Sequence, residues 1–485
     1  MTLRRDRPRV GLVWWPVLDP LVDPREGIVE EIEVEPLSFV ARRSPGGPYR
    51  FDAAIGARLA ALPQRKRVHG VGTPVGGSRA VDDELVAAFV ASADLVGAVA
   101  ASEHLAFQRA ADGSGERNAL ALLPPCPTDE GACLAAANVL RRKRRLTVPF
   151  AFETGVNYLR RLPGELSDGL LFRGVAEAAD CGILVDLHNL HANERNGRQR
   201  VRDVLDELPL ERVTEIHVAG GEERDGYWLD AHTGAIPEAV LADLADLLPR
   251  ASNLETVVFE IVPAAVPRLG LRAIERELGK VRELVRACSC GRDAAPPTPP
   301  ASAPPRARPV ASPEAWEDAL AALVIGRPGS GPLALRLADD PGFAIYRGLV
   351  AEARDGAVAA LLPLTVRLLL LDLGEATARS LLAAYRRASE VGATGLDEAL
   401  AFAAWLRRAP IRVEHLRSVL DLEVAQALTH AGADTCVIPF DVEPRALLAA
   451  LGEGRLPTSF TKGAFEVEVP TDGTPAVSAG ASAGS

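Results

Sequence analysis

Short apolar runs alternate with amphipathic stretches along the first 290 residues of the chain. Eight runs of four to six residues are predicted to be strands, namely Val10–Val13, Ile32–Pro36, Arg67–Val71, Leu95–Ala100, Val148–Glu153, Gly182–Leu187, Val213–Val218 and Thr256–Ile261. Most of the stretches between them have apolar residues at helical spacing, as in Asp82–Ala93, Thr128–Arg141, Leu170–Ala179 and Pro237–Leu248. Strands that alternate with helices indicate parallel βαβ units. Eight such units predict an α/β fold of the (β/α)8 TIM-barrel type.

A doubly wound open sheet is the main alternative for this alternating pattern. In that fold, a glycine-rich loop that binds a dinucleotide or a phosphate commonly follows the first strand. The segment after Val13 reads WWPVLDP and contains no glycine. The barrel is therefore the favoured prediction, and it spans residues 1–290.

A stretch rich in proline and alanine, residues 291–313, separates the barrel from the rest of the chain. This composition indicates an extended, semi-rigid linker. Residues 314–470 are predicted to form a mainly α-helical domain with helices at Glu314–Val324, Phe343–Leu361, Ala376–Ala388, Leu396–Arg408, Val413–Ala431 and Pro444–Leu451. A strand-like piece lies at Thr435–Phe440. The small and polar residues of 471–485 predict a disordered tail.

The net negative charge of the chain bears on which classes of partner it can bind. A formal net charge of -11 at pH 7 disfavours a nucleic-acid binder, because contacts with phosphates need a basic surface. The N-terminal residues do not form a signal peptide, and the apolar run Leu361–Leu373 is too short and interrupted to span a bilayer. The six cysteines are scattered, unlike a secreted disulfide framework. We therefore expect a cytoplasmic protein without membrane or nucleic-acid partners.

Polar residues follow the predicted strands at their carboxyl ends, where six of the eight histidines lie. The carboxyl ends of barrel strands converge on one face, so that residues far apart in sequence meet there. The residues placed in this way are His69, His104, Glu153, Asp186, His188, Asn189, His217, Asp230, His232 and Glu260. Any one of these histidines alone is more often a hydrogen-bonded interior residue than a ligand. The whole set indicates a metal site.

The side chains of this set bear on which metal binds and how. Imidazoles and carboxylates without sulfur suit iron, manganese or zinc. A carboxylate such as Glu153 or Asp186 is able to bridge two ions, on the order of 3.5–4 Å apart in two-metal sites. His188 and His191 are expected to orient ligands or to contact substrate in catalysis, since metal-bound side chains need such partners.

Three segments of the barrel part carry a resemblance to a known family. ADCGILVDLHNLHANERNG, LPLERVTEIHVAGG and LDAHTGAIP, in this order and spacing, resemble the multinuclear non-haem iron-dependent oxidases, a family that includes the methanobactin biosynthesis oxidase. The resemblance covers roughly residues 8–285. It implies a TIM barrel that binds two or three iron ions and uses O2 to modify a ribosomally made precursor peptide, often at cysteine. The implied metal ligands are His69, His104, Glu153, Asp186, Asn189, His217, Asp230, His232 and Glu260.

The chain departs from the common pattern of the family beside the ligands rather than at them. His188 stands where many members have asparagine, and Thr154 also replaces an asparagine. Asn196 and Gly197 replace an Asn-His-Gly sequence. These changes leave the implied ligands in place and bear on the substrate and its chemistry.

The helical part carries a second, weaker resemblance. FAIYRGLVAEARDGAVAALLP, LLAAYRRA, AAWLRR and LRSVLDLEVAQAL are similar to a family named for DNA binding that is often encoded beside these oxidases. The resemblance implies an accessory module that presents the precursor peptide, here fused to the enzyme. The acidic balance disfavours DNA binding. A merely structural helical domain is the alternative.

Two other functions remain open for the barrel part. One is a zinc- or manganese-dependent hydrolase or isomerase, since related barrels use similar clusters for phosphodiester cleavage and sugar isomerisation. The other is a non-catalytic metal-binding scaffold, with the helical domain as its working surface.

Overall fold

The computed structural model describes residues 7–289 and 311–479, except residues 23–26, 43–46, 113–114, 328, 330, 390–394, 431–432, 458, 460 and 471–475. Contacts divide the chain into two compact units. The first comprises Met1–Ala41, Phe51–Glu116 and Leu122–Tyr346, and the second comprises Arg42–Arg50, Arg117–Ala121 and Arg347–Ser485.

Fourteen strands are described before residue 290: β1 (Arg9–Val13), β2 (Glu31–Val34), β3 (Val40–Arg42), β4 (Tyr49–Phe51), β5 (Arg65–Gly70), β6 (Ala101–His104), β7 (Phe107–Asp112), β8 (Gly115–Leu123), β9 (Phe150–Glu153), β10 (Gly182–Asp186), β11 (Val213–Ala219), β12 (Glu222–Arg224), β13 (Tyr227–Leu229) and β14 (Thr256–Glu260). Eight of them form a closed parallel barrel in the order β1-β14-β11-β10-β9-β6-β5-β2. The predicted TIM barrel is confirmed. Strands β12 and β13 form an antiparallel hairpin.

Nine α-helices are described in the same part of the chain: α1 (Ala53–Ala61), α2 (Asp83–Val96), α3 (Asp129–Lys143), α4 (Asp168–Ala179), α5 (Leu187–Arg195), α6 (Val201–Glu207), α7 (Glu238–Leu247), α8 (Val266–Leu269) and α9 (Leu271–Ser289). Short 3-10 helices lie at Pro16–Val22, Pro36–Phe39, Leu210–Arg212 and Pro263–Ala265. The outward strand residues and the inner helix faces form one continuous apolar core.

The predicted strand at Leu95–Ala100 is wrong. Leu95 and Val96 complete helix α2, which Asp82 caps at its start by accepting hydrogen bonds from two backbone N–H groups. The helix ends at Gly97, whose φ of 63° is the left-handed conformation typical of a helix terminus. The barrel strand follows as β6, four residues that end at His104.

Alternation along the barrel strands sends every second side chain into the barrel. Ile32 and Val34 face the outer apolar core, whereas Glu31 and Glu33 between them are fully buried inside. Strands β5 and β11 repeat the pattern with Arg67 and His69, and with Glu215 and His217. The barrel interior is therefore largely charged, where many TIM barrels have branched apolar side chains.

Arg67 balances the acidic residues in the part of the barrel below the histidines. Its guanidinium pairs with Glu31, lies 3.3 Å from Glu215 Oε2 and lies 2.5 Å from Glu255 Oε2. Burial opposes the charge of Arg67, but the charges of Glu215 and Glu31 outweigh burial and raise its pKa. A buried arginine fully surrounded by carboxylates stays charged and fixes their positions.

The elements after residue 310 are helices α10 (Pro313–Val324), α11 (Gly331–Leu337), α12 (Gly342–Leu361), α13 (Pro363–Leu373), α14 (Glu375–Ala388), α15 (Gly395–Leu406), α16 (Leu416–His430) and α17 (Pro444–Gly452), and strands β15 (Cys436–Val442), β16 (Lys462–Val469) and β17 (Ala476–Ala479). This part is mainly helical, as predicted. No single helix among the described residues is long and apolar enough to cross a membrane, although the pair α12 and α13, bent by 104°, meets that test by length and composition.

The first unit extends beyond the predicted linker and includes helices α10 and α11. The indole of Trp316 donates a hydrogen bond of 3.0 Å to the carbonyl of Pro124. The fully buried carboxylate of Glu317 accepts hydrogen bonds from the backbone N–H and the hydroxyl of Ser78, and it pairs with Arg79. These contacts join α10 to loops of the barrel unit. Residues 291–310, which are most of the predicted linker, lie outside the described residues.

The second unit contains two apolar cores. The carboxylate of Glu423 on α16 accepts hydrogen bonds of 2.6 and 2.7 Å from the N–H groups of Leu364 and Thr365, which begin helix α13. Strands β15, β16 and β17 form an antiparallel sheet. Strand β17 lies within the predicted disordered tail, and its pairing with β16 corrects that prediction for four residues. Residues 471–475 and 480–485 of the tail lie outside the described residues.

Replacement of Glu317 by alanine tests whether α10 is part of the barrel unit. The substitution leaves the N–H of Ser78 and the guanidinium of Arg79 without their buried acceptor. We expect the free energy of unfolding to fall by about 3 kcal/mol. Urea unfolding followed by tryptophan fluorescence measures this loss, since four of the five tryptophans lie in the first unit. Glu314→Ala, at an exposed position of the same helix, is the control. Equal stability of both variants would contradict the assignment.

Candidate metal centre

Strands β5, β6 and β9 bring together the first group of polar side chains. His69 Nε2 and His104 Nδ1 lie 3.1 and 2.7 Å from Glu153 Oε2. The other ring nitrogen of His69 lies 2.8 Å from the hydroxyl of Ser102, which fixes the ring orientation. His69 and Glu153 are almost completely buried. These three side chains offer two imidazoles and a carboxylate to one ion.

The end of β10 places Asp186 and Asn189 beside this group. Asp186 is the N-cap of helix α5, and its Oδ1 accepts a hydrogen bond of 2.8 Å from the N–H of Asn189. An acidic cap is favourable at a helix N-terminus. The side-chain amide of Asn189 donates to Glu153 Oε1 at 3.1 Å. The cap leaves Asp186 Oδ2 directed elsewhere, without a hydrogen-bond partner among the described residues.

Strands β11 and β14 and the loop after β13 contribute the remaining residues. His217 Nδ1 lies 3.1 Å from Glu260 Oε1. His232 Nε2 lies 2.7 Å from Asp230 Oδ1 and 3.4 Å from Glu260 Oε2. The backbone of His232 has a φ of 50°, and a left-handed conformation of this kind costs about 1 kcal/mol or more outside glycine. A strained backbone at this point is consistent with a functional role for the imidazole.

Five groups of described side chains could each hold an ion; besides His188, Asp230 and His232, and Glu33, Glu215 and His217, there are three groups that share carboxylates with one another. These three groups are His69, His104 and Glu153; Glu153, Asp186 and His217; and Asp186, His232 and Glu260. Within each group the ligand atoms lie within 4.8 Å of one another. The first two groups share Glu153, and the last two share Asp186. Carboxylates at these two places are suited to bridge neighbouring ions.

The electrostatics of the cluster reflect this crowding. Burial raises the pKa of Asp186 far above its usual value, and the charges of Glu260, Asp230 and Glu153 raise it further. Burial also opposes the charge of Glu153, but two neighbouring imidazoles hold the pKa of this carboxyl well below its usual range. For His69, burial is outweighed by the close contact with the carboxylate of Glu153, which raises its pKa to about 10. Bound cations would compensate the negative charges of these buried carboxylates.

Several buried atoms of the cluster have no hydrogen-bond partner among the described residues. They are Glu153 Oε2, Asp186 Oδ2, Asn189 Oδ1, His217 Nδ1, His217 Nε2, His232 Nε2 and Glu260 Oε2. Buried polar atoms normally have partners, and unsatisfied ones call for an explanation. Six of these seven atoms belong to residues of the three ligand groups, and Asn189 Oδ1 lies directly beside them. The donor set therefore fits bound metal ions.

His188 differs from the other histidines because both of its ring nitrogens have hydrogen bonds. The indole N–H of Trp228 donates to Nε2 at 3.0 Å, and Nδ1 lies 3.0 Å from Asp230 Oδ1. Indole is only a donor, so Nε2 is the acceptor and Nδ1 carries the proton that Asp230 accepts. Asn196 fixes Trp228 in turn through two hydrogen bonds of 2.9 Å to its backbone. His188 and Asn196, two departures from the family pattern, are thus connected through Trp228.

His191 and Thr154 lie beside the ligands in different ways. His191, one turn after His188 on α5, packs its ring edge-on against Trp228. Its Nε2 has no hydrogen-bond partner among the described residues. The hydroxyl of Thr154 accepts a hydrogen bond of 3.0 Å from the N–H of Asp186 and supports the end of β10.

Some residues of the site have no counterpart in the sequence analysis. Glu33 and Glu215 approach His217 from inside the barrel, and the Glu-Ile-Glu and Glu-Ile-His alternation in β2 and β11 is the signal that could have indicated them. The Tyr158 hydroxyl accepts a hydrogen bond of 3.1 Å from the N–H of Asp230. Tyr158 and Trp228 lie in loops or a hairpin, where no periodic pattern exists to identify them.

A small cavity of about 60 Å³ opens beside the cluster. Its polar lining consists of His104, Asn157, Asp168, Asn189, Arg198 and Asp230, and its apolar lining includes Leu105, Leu122, Leu123, Val156, Leu171 and Phe172. An apolar cavity with a few converging polar groups is typical of a ligand site.

Solved structures with a similar course of the chain include D-psicose 3-epimerase from Clostridium cellulolyticum H10, with a TM-score of 0.38, 11% sequence identity, and coverage of 58% of this chain and 99% of that one. A xylose isomerase domain protein from Alicyclobacillus acidocaldarius has a TM-score of 0.37 and 18% identity, and it covers 59% of this chain and 99% of that one.

Sequence relatives are found among the UPF0276 proteins. The protein from Streptomyces avermitilis is 35% identical over 219 residues, which are 44% of each chain. The protein from Paraburkholderia phytofirmans is 32% identical over 219 residues, 44% of this chain and 68% of the relative. The protein from Bordetella pertussis is 30% identical over 203 residues, 40% of this chain and 67% of the relative. The match thus spans less than half of the Streptomyces protein.

A family model described as RiPP precursor modification enzyme MbnB/TglH/ChrH matches residues 53–285. This range contains all nine ligands that the sequence resemblance implies, from His69 to Glu260. The match contains six of the eight barrel strands, from β5 to β14, whereas β1, β2 and the chain after residue 285 lie outside it. The chain belongs to the MbnB/TglH/ChrH family of RiPP precursor modification enzymes.

Proposed function

We propose that the barrel unit is an O2-dependent oxidase that binds two or three iron ions and modifies a ribosomally made precursor peptide at cysteine. The observation that carries the proposal is the overlap of three ligand groups through Glu153 and Asp186. Bridging carboxylates hold ions at about 3.5–4 Å in two-metal sites. Imidazole and carboxylate donors suit iron, and family membership supports a peptide substrate.

The side chains of the cluster have separate tasks in this proposal. The bound ions would supply the redox chemistry with oxygen, for which the protein has no side chain of its own. His69, His104, His217, His232, Asp230 and Glu260 would serve as ligands, with Glu153 and Asp186 shared between neighbouring groups. Asn189 completes the implied ligand set and holds Glu153 through its amide. Fixed ligand geometry supplies the orientation on which the rate depends.

The two remaining histidines have different roles in this proposal. His188 orients Asp230, because its nitrogens are occupied by Trp228 and Asp230. His191 is the better candidate for a catalytic contact with the substrate, since its Nε2 has no hydrogen-bond partner among the described residues. Burial lowers the pKa of His191, which favours its neutral, hydrogen-bonding form.

The cavity beside the cluster is the proposed place for the reacting side chain of the peptide. Its volume of about 60 Å³ suits a small group such as a thiol-bearing methylene. Apolar walls would exclude water, while His104 and Asp230 at the polar side bring the group next to the ligands.

The second unit is proposed to recognise the precursor peptide or a partner protein. A groove of about 590 Å³ lies within this unit, with apolar walls that include Val366, Leu369 and Leu382, and with Asp355 and Arg379 among its polar residues. A tethered binding module raises the local concentration of a captured peptide, in the mM range for suitable linkers. The cytoplasmic location and the absence of nucleic-acid partners stay predictions from the sequence.

A zinc- or manganese-dependent hydrolase or isomerase is the second candidate function. It is favoured by the same oxygen and nitrogen donors, which also suit these metals. Two properties separate the two candidates: which metal supports the activity, and whether the activity requires oxygen. A non-catalytic scaffold would bind metal without turnover.

Substitution of single ligands tests the assignment of the centre. We expect His217→Ala and Glu260→Ala each to lose at least one bound ion per chain together with activity, because each removes a donor from a buried group. Elemental analysis of anaerobically purified protein measures the loss. His430→Ala, at an exposed position of α16 in the second unit, should retain the full metal content. Unchanged metal content in the two barrel variants would refute their assignment as ligands.

Metal replacement distinguishes the oxidase from the hydrolase or isomerase. The metal-free protein is reconstituted with ferrous iron, zinc or manganese and supplied with a cysteine-containing peptide encoded next to its gene. We expect oxygen consumption and a changed peptide mass only with iron. Turnover with zinc and without oxygen would favour the second candidate, and no turnover with any metal would favour the scaffold.

Trp228→Phe tests the role of His188. Phenylalanine keeps an aromatic ring against His191 but removes the N–H that fixes the tautomer of His188. We expect a loss of about tenfold in metal affinity or activity, as for other groups that orient ligands. Trp405→Phe in the second unit is the control. An identical metal affinity and rate in both variants would show that Trp228 does not act through His188.

A further inference from the structure

The imidazole of His217 lies between two carboxylates on opposite sides of its ring. Nδ1 lies 3.1 Å from Glu260 Oε1, within the ligand cluster. Nε2 lies 3.1 Å from Glu33 Oε1, deeper in the barrel. His217 and Glu33 have no solvent-exposed surface, so water does not compete for either contact.

When one nitrogen of a neutral imidazole binds a metal, the other nitrogen carries the proton and needs a hydrogen-bond acceptor. A neutral imidazole has one proton, and the nitrogen that binds a metal needs its lone pair free. If Nδ1 faces the ions, the proton lies on Nε2 and needs an acceptor. Carboxylates commonly play this part for metal-bound histidines, where they fix the tautomer and the ring orientation.

Glu33 is the carboxylate that is placed for this task. Its Oε1 is the carboxylate oxygen 3.1 Å from His217 Nε2, and neither Glu33 oxygen nor His217 Nε2 is hydrogen-bonded to any other described residue. Glu215, the next acid along the barrel interior, lies 3.8 Å from His217 Nε2, beyond hydrogen-bond distance. Glu215 is also held by Arg67 at 3.3 Å.

Glu31 provides an internal comparison. It lies on the same strand and the same side of β2 as Glu33, and it is equally buried. Its carboxylate pairs with Arg67 and lies near Arg65 and Arg9. Two acids of the same type and burial thus face different partners: Glu31 faces arginines, and Glu33 faces an imidazole of the metal centre.

We propose that Glu33 is a positioning residue of the metal centre, whose carboxylate accepts the Nε2 proton of His217 and so presents Nδ1 to the ions. The inference rests on the proposed function, because it takes His217 as a metal ligand. In this role Glu33 does not bind an ion itself. It acts by holding one ligand in the tautomer and orientation that binding requires.

The test compares Glu33→Ala, Glu33→Gln and Glu31→Gln in the full chain, with cobalt(II) as a spectroscopic probe. Metal-free protein is titrated with cobalt, and the stoichiometry, affinity and visible absorption of the bound ions are recorded. We expect Glu33→Ala to weaken the binding of one ion by about 10- to 100-fold and to change its absorption. Glu33→Gln keeps an oxygen acceptor and should lose about tenfold or less. Thermal unfolding of the metal-free variants reports their folding separately.

Glu31→Gln is the matched control. It should unfold at a lower temperature than the natural chain, because it weakens a buried pair with Arg67, and yet retain the cobalt affinity within about twofold, far less than a ligand-orienting residue costs. Equal affinity in Glu33→Ala and the natural chain would overturn the inference, and so would an equal loss of affinity in Glu31→Gln. Complete loss of one ion from Glu33→Gln, with unchanged affinity for the others, would instead identify Glu33 as a ligand. If the natural chain binds no cobalt, the proposed metal centre itself fails.

Discussion

The burial of acidic and imidazole side chains inside a closed barrel is the constraint on which the rest of this structure depends. An uncompensated charge in such a place costs several kcal/mol, so each buried group needs a partner. In the lower part of the barrel, which lies on the N-terminal side of His69 and His217 along their strands, Arg67 pairs with Glu31 and Glu215. In the upper part, the contacts of Glu153 and Glu260 are with imidazoles rather than with lysine or arginine.

The two parts of the barrel interior therefore differ in what balances them. In the lower part the balancing cation is the guanidinium of Arg67, although Glu31 Oε2 and Glu215 Oε1 have no hydrogen-bond partner among the described residues. In the upper part, burial and then three neighbouring carboxylates raise the pKa of Asp186, and several ligand atoms have no hydrogen-bond partner among the described residues. Metal ions at the upper end would lower the pKa of Asp186, because a cation favours the ionised carboxylate. They would also bind the ligand atoms that have no hydrogen-bond partner. The metal centre is then also a part of what stabilises the barrel.

The sequence was informative where the periodicity of the strands was strong. All nine implied ligands lie in the cluster or next to it, because the ends of parallel strands converge by topology alone. The fourth strand was misplaced because an apolar run at Leu95 continues a helix to Gly97, and short apolar runs do not distinguish a helix end from a strand. The interior partners Glu33 and Arg67 were not recognised as such, although their alternation with Ile32 and Val68 is visible in the sequence. Trp228 and Tyr158 could not be predicted, since loops place side chains by tertiary contacts that no local pattern encodes.

The family match covers residues 53–285, most of the barrel, and leaves the chain after residue 285 to be explained by its own chemistry. The central claim is that three ligand groups, joined by Glu153 and Asp186, hold iron ions next to one another. Anomalous X-ray diffraction at the iron absorption edge, from crystals of anaerobically purified protein, measures this directly. The account predicts two or three iron peaks, each within one of the three groups. The absence of any peak, or peaks at the zinc edge alone, would contradict it.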